Sequence, residues 1–176
     1  MKKCLIVVDM QNDFITGSLG TEEAKEIVGG VIRLIKEWDG DIIVTQDTHG
    51  EDYLTTAEGH HLPIVHCIKC TDGWELESGI KRALSLKKEN GTNVAIFAKS
   101  TFGSFNVAYL ARQYEQIYIV GLCTDICIIS NAILAKNVSP DTEVIVDASL
   151  CAGTTKVLHD KALDVMRSCQ ICVINR

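Results

Sequence analysis

The sequence predicts an α/β fold: a three-layer α/β/α sandwich around a mostly parallel six-stranded sheet. Three observations predict it. Apolar runs rich in Val and Ile alternate with segments of helical periodicity. The runs are continuous rather than alternately polar and apolar, which marks strands buried on both faces. The intervening segments are long enough for right-handed crossover helices. The length of 176 residues fits one domain spanning 1–176.

The first strand, residues 4–9, is the run Cys4-Leu5-Ile6-Val7-Val8, which stops at Asp9. Met1-Lys2-Lys3 before it has the flavour of a secretory leader, but the run is shorter than the roughly 7–15 apolar residues such a leader needs. A helix over 21–38 follows. Thr21 before Glu22 and Glu23 is a helix start, and Ile27, Val31, Leu34, Ile35 and Trp38 recur at helical spacing. Strands are predicted near 41–45, 93–97, 117–121, 143–147 and 171–174, with helices near 74–87, 103–115, 125–137 and 155–168. Residues 46–73 have little periodicity. Structureless loops of that length are uncommon in compact domains and tend to be functional.

Composition narrows the function classes. Hydrophobic residues make up 47% and charged residues 23%, an ordinary globular balance. No apolar run approaches the ~20 residues that span a membrane. The net charge of −6, with no basic cluster, argues against a nucleic-acid partner. Eight cysteines without a leader point to a reducing cytoplasm and mostly free thiols. The pairs Cys67/Cys70 and Cys169/Cys172 lie too far apart in sequence for a compact zinc ribbon, and Cys169/Cys172, at the start of an apolar terminal strand, reads as packing.

Three predicted strands each lead into a chemically useful residue at their carboxyl end: Asp9, Lys99 and Cys127. Sites in open parallel sheets form outside the carboxyl ends of strands. Each residue alone has a plainer reading, as a turn Asp, a solvated Lys or a buried Cys. Together they make a nucleophile, an acid/base and an electrostatic stabiliser. Cys127 falls in the first turn of a helix starting at Thr124 or Asp125. The unpaired N–H groups there predict a thiol that ionises near neutral pH.

The loop 46–73 holds four of the five histidines. Asp47 and His49 directly follow a strand, and Glu58, His60, His61 and His66 come next. Imidazole and carboxylate ligands suit divalent Zn, Mn or Fe. Glu58, His60 and His61 compete for one ligand position.

These residues resemble the isochorismatase-like cysteine hydrolases, and within them the nicotinamidases. Val8-Asp9-Met10-Gln11-Asn12-Asp13-Phe14 is similar to the family's D-x-Q-x-D-F opening, and Phe97-Ala98-Lys99 to its lysine strand end. Gly121-Leu122-Cys123-Thr124-Asp125-Ile126-Cys127 resembles its nucleophile turn, G-x-x-T-[DE]-x-C. Val146-Asp147-Ala148 and His159-x-x-Ala162-Leu163 also match. The resemblance runs the length of the chain and implies a catalytic triad of Asp9, Lys99 and Cys127. It implies backbone N–H groups of Cys123 and Cys127 as the oxyanion hole, with a cis peptide before Cys123. Asp47, His49, Glu58 and His66 match the metal ligands of one nicotinamidase subgroup. The implied reaction cleaves a small amide, nicotinamide first, to acid and ammonia through a thioester. The implied assembly is a homo-oligomer.

The chain departs from the family in places. Lys69-Cys70-Thr71-Asp72-Gly73-Trp74-Glu75 replaces G-T-x-G-A-E, and an extra residue separates Pro63 from His66. Phe14 is a candidate pocket wall. Trp74 either joins the substrate pocket or anchors the core. Other small amides or ureido acids stay open as substrates. A phosphohydrolase with an Asp nucleophile would want a second Asp where Gln11 stands, and a dinucleotide enzyme lacks its glycine loop. A non-enzymatic metal- or redox-binding module is the remaining alternative.

Overall fold

In the computed structural model, which describes residues 2–176, six strands form one sheet. They are β1 (Lys3–Val8), β2 (Asp41–Asp47), β3 (Val94–Lys99), β4 (Gln116–Leu122), β5 (Glu143–Ala152) and β6 (Cys172–Ile174). Their order is β3-β2-β1-β4-β5-β6, and every pairing is parallel. The winding reverses at β1, which has β2 on one side and β4 on the other. A crevice therefore opens outside the carboxyl ends of β1 and β4.

Parallel neighbours require crossovers, and the helices supply them on both faces. Helices α2 (Glu22–Glu37) and α4 (Ser78–Glu89) cover one face, where Ile27, Val31, Ile35, Ile80 and Leu84 pack against Leu5 and Val7. Helices α5 (Phe105–Ala111), α6 (Ile129–Val138) and α7 (Lys156–Ser168) cover the other, where Val107, Ala132, Leu163 and Met166 pack against Cys4, Ile6 and Val8. Successive β1 side chains thus enter opposite cores, which is why the run is apolar throughout. Burying each Leu, Ile or Val contributes about 1.5–3 kcal/mol.

Side-chain caps set the helix starts. Thr21 accepts from the Ala24 N–H at 3.0 Å, as the sequence predicts. Helix α4 begins later than the predicted residue 74, because Glu77 accepts from the N–H groups of Gly79 and Ile80 at 2.8 and 3.0 Å. Helix α5 is shorter than 103–115, with Ser104 as its cap. Strand β5 runs beyond the predicted 147 to Ala152.

The region 46–73 is ordered by local turns rather than by a long amphipathic element. It holds a 3-10 turn at Tyr53–Thr55 and the short helix α3 (Ala57–His61); another short helix, α1 (Asn12–Ile15), follows β1. Tyr53 is fully buried, and its hydroxyl donates to the Leu62 carbonyl at 2.9 Å. His49 and Ile68 form a short parallel bridge that closes the loop on itself.

Candidate active site

Asp9 leaves β1 in a left-handed conformation, φ 49°, which turns its carboxylate away from the strand direction. Its N–H donates to the Thr45 carbonyl at 3.1 Å, and the Thr45 hydroxyl donates back to Oδ1 at 2.6 Å. Lys99 ends β3, in register with Asp47 at the end of β2. Its Nζ reaches past β2 to within 2.7 Å of Asp9 Oδ2, and lies 3.5 Å from both Cys127 Sγ and Asp47 Oδ1. Asp9, Lys99 and Cys127 are all buried.

Cys127 arrives by way of β4. Gly121 has φ 121°, and a Cβ there would overlap the Val8 carbonyl, so only glycine lets β4 close on β1. The Leu122–Cys123 peptide is cis, as the family resemblance implies. A π-turn over Thr124–Ile128 follows, in which the N–H groups of Ile126 and Ile128 both donate to the Cys123 carbonyl. The predicted helix start at Thr124 holds, but its first turn is wider than an α-turn. The turn is braced from outside. Asp125 accepts from the backbone and hydroxyl of Thr154 at 2.8 and 2.6 Å, Thr124 Oγ1 meets His159 Nδ1 at 2.8 Å, and Asn131 donates to the Cys127 carbonyl at 2.8 Å.

The electrostatics correct one expectation. Burial, with Asp9 beside it, pushes the Cys127 thiol well above its ordinary value, against the pull of Lys99. The thiol keeps its proton at neutral pH, and ionising it needs a base. Burial also raises the Asp9 carboxyl, with Lys99 opposing the rise. Burial alone would lower Lys99, but the carboxylates of Asp9 and Asp47 beside it outweigh that, so the ammonium stays charged.

A second cluster adjoins the first through Asp47. One donor atom each from Asp47, His49, Glu58 and His66 lies within 4.8 Å of all the others. His49 Nε2 is 2.9 Å from Asp47 Oδ2, and His66 Nε2 is 3.6 Å from the same oxygen. Glu58 Oε1 is 3.8 Å from both imidazoles. His66 Nδ1 donates to the Ile64 carbonyl at 2.8 Å, which leaves Nε2 as the ring nitrogen that faces the cluster. Two imidazoles and two carboxylates converging this way fit a divalent metal. Of the competing residues, Glu58 joins the cluster. His60 is exposed, and His61 lines the neighbouring cavity with Nδ1 tied to the Ala57 carbonyl at 2.8 Å.

Both clusters open on one cavity of about 430 Å³. Cys127, Cys123, Asp47 and His66 line its floor, while Phe14, Leu19, Leu62, Phe102, Leu122 and Ile126 make an apolar wall. The size and lining are those of a small-molecule site. Phe14 is where the sequence reading puts it, its ring 5.6 Å from that of His66. Trp74 is not in the lining. Its indole N–H donates to Thr48 Oγ1 at 2.8 Å, and its ring packs on the core beneath α2 and α4. The pocket reading of Trp74 is therefore corrected, because its donor is satisfied away from the cavity. Thr45 and Phe102 escaped the sequence reading. Thr45 pairs with Val8 across the sheet, a relation that needs the strand register.

A parallel α/β scaffold carrying a buried thiol, carboxylate and ammonium beside a candidate metal cluster defines a thiol-hydrolase class of protein. The chain belongs to the isochorismatase family, whose isochorismatase domain matches residues 3–176. It is 25% identical to a nicotinamidase of Saccharomyces cerevisiae, over 99% of this chain and 100% of that one. The structure of a nicotinamidase/pyrazinamidase, PncA, from Bacillus subtilis superposes with a TM-score of 0.86 at 26% identity, covering 99% of this chain and all of the other. A pyrazinamidase of Pyrococcus horikoshii, solved in complex with zinc, superposes with a TM-score of 0.77 at 26% identity, with both chains covered in full. No helix among the described residues is long and apolar enough to cross a membrane.

Proposed function

We propose that the protein is a cysteine-dependent amidohydrolase that converts nicotinamide to nicotinate and ammonia. The observation that carries this reading is the buried Asp9–Lys99–Cys127 cluster, whose thiol lines the cavity, with Lys99 Nζ 2.7 Å from Asp9 and 3.5 Å from the thiol. The relatives' nicotinamidase activity supports the choice of amide.

The chemistry follows from the protonation states. The thiol passes its proton to Asp9 as sulfur attacks the amide carbonyl, and Lys99 balances the negative charge throughout. Backbone N–H groups of Cys123 and Cys127 receive the oxyanion; such a donor is typically worth about 3–4 kcal/mol of barrier. Asp9 then protonates the leaving nitrogen, which departs as ammonia and leaves a thioester. Water gives a proton to Asp9 and attacks that thioester. The acid leaves, and the proton returns to sulfur. Zn, Mn or Fe held by Asp47, His49, Glu58 and His66 would supply a Lewis-acid anchor for a ring nitrogen. Phe14 bounds the ring from the side.

The proposed assembly is a homo-oligomer, supported by exposed Ile96, Phe105 and Tyr109 along the edge strand β3 and α5. A cysteine-rich chain of this kind fits a reducing cytoplasm. The test is ammonia release from nicotinamide by the purified protein, with and without Zn, Mn or Fe, beside Cys127→Ala. Turnover that depends on metal and drops by more than about 10³-fold in the variant is the expected result. Metal-loaded, folded protein that releases no ammonia would reject nicotinamide and move the search to other small amides and ureido acids.

A further inference from the structure

We propose that Gln11 and Asp13 are positioning residues for the metal cluster, which they align through the backbone of its ligands. The inference rests on the metal reading above. The segment after β1 alternates Asp9-x-Gln11-x-Asp13, and the three side chains reach three different places. Asp9 faces the thiol cluster. Gln11 is fully buried and closes a ring with the peptide groups of Asp47: its Oε1 accepts from the Asp47 N–H at 2.7 Å, and its Nε2 donates to the Asp47 carbonyl at 2.8 Å. Nε2 also donates to the Trp74 carbonyl at 2.8 Å. Fixing both peptide groups of one residue fixes the direction of its side chain, here the carboxylate shared by His49, His66 and Lys99.

Asp13 does the same for the histidines. Its Oδ2 accepts from the Cys67 N–H at 2.7 Å, and the Cys67 carbonyl accepts from the His49 N–H at 3.0 Å. Cys67 adopts φ 46°, is buried, and directly follows His66. One carboxylate thus holds the residue that follows His66 and whose carbonyl pairs with His49. Room for it is reserved, since a Cβ at Gly73 would overlap the Asp13 carboxylate. Neither Gln11 nor Asp13 lines the cavity, so each acts through the ligands and not on a bound molecule. A buried polar group that loses its partner keeps its desolvation penalty, so the ligand backbone would shift to find another.

The test measures zinc affinity, by competition with a chromogenic chelator, for wild type, Gln11→Met, Asp13→Ala and Asp13→Asn. In parallel, alkylation of Cys127 by iodoacetamide is followed by mass spectrometry in the metal-free proteins. Gln11→Met and Asp13→Ala are expected to lose about 10–100-fold in zinc affinity, while Asp13→Asn, whose amide oxygen still accepts from Cys67, stays within about threefold of wild type. The Cys127 alkylation rate is expected to be unchanged in the two Asp13 variants, because Asp13 holds the histidine segment and not the Asp47 carboxylate beside Lys99. If Gln11→Met does not fold, Gln11→Glu takes its place, keeping the acceptor for Asp47 and losing both donors. Unchanged affinity in Gln11→Met and Asp13→Ala overturns the inference. So does an Asp13→Asn loss as large as that of Asp13→Ala, or a matching change in alkylation in the Asp13 variants, which would mean general disruption. Wild type that binds no zinc would instead remove the metal reading itself.

Discussion

At the residue scale, the pairing of Asp9 with Lys99 controls the chemistry. Burial pushes the Asp9 carboxyl above its ordinary value of 3.8, while Lys99 and the Thr45 hydroxyl hold the rise in check. A general base works only when deprotonated, so activity rises with pH through the Asp9 value. The acid limb of kcat/KM is therefore expected above pH 3.8. Thr45→Val removes a bond to the ionised form, so the limb should move to higher pH. Lys99→Met removes the larger opposing influence and should move it further, at low residual activity. A limb that moves down in either variant would contradict this account of Asp9. The thiol carries the same lesson. A position at a helix start predicts easy ionisation, yet burial beside a carboxylate outweighs it, which makes the base indispensable. The identities of Asp9, Lys99 and Cys127 were legible as strand-end residues. Their protonation states were not, because desolvation depends on what packs around them.

At the element scale, the turn after β4 carries the most constraint. Gly121 lets two strands approach, and the π-turn behind it is held by Asp125, Thr124 and Asn131. Gly121→Ala is expected to cost more than about 2 kcal/mol, because it combines a positive φ with an overlap on Val8. Urea denaturation reads this directly, and a loss under about 0.5 kcal/mol would show that the turn tolerates a side chain. Strands were legible where Val and Ile run continuously. Helix starts were legible where a cap stands before a periodic stretch, as at Thr21. The start of α4 was misjudged because the cap there is Glu77, a residue equally at home inside a helix. The short helix α3 was invisible because it has no apolar period. Its stability comes from the Thr56 cap and the buried Tyr53 beside it.

At the scale of the whole molecule, the two clusters share one residue and one cavity. Asp47 ends β2, meets Lys99 in register, and also belongs to the candidate metal site. A metal that binds only the folded chain adds RT ln(1 + [L]/Kd) to its stability, about 2.7 kcal/mol at a hundredfold excess over Kd. Thermal unfolding is therefore expected to shift upward with zinc, and the shift should disappear in Asp47→Asn. An equal shift in both proteins would place the binding elsewhere. By itself the sequence determined the fold class, which strands lead to functional residues, the candidate triad and a set of metal donors, because these are written in apolar periodicity and in which residues follow each strand. The tertiary structure alone decided that Trp74 packs against the core and that Lys99 spans β2 to reach Asp9, and it set Glu58, which the residue types left in competition with His60 and His61, beside the other three donors. Those outcomes depend on strand register and on which donors and acceptors are satisfied in three dimensions, and neither is a property of local sequence.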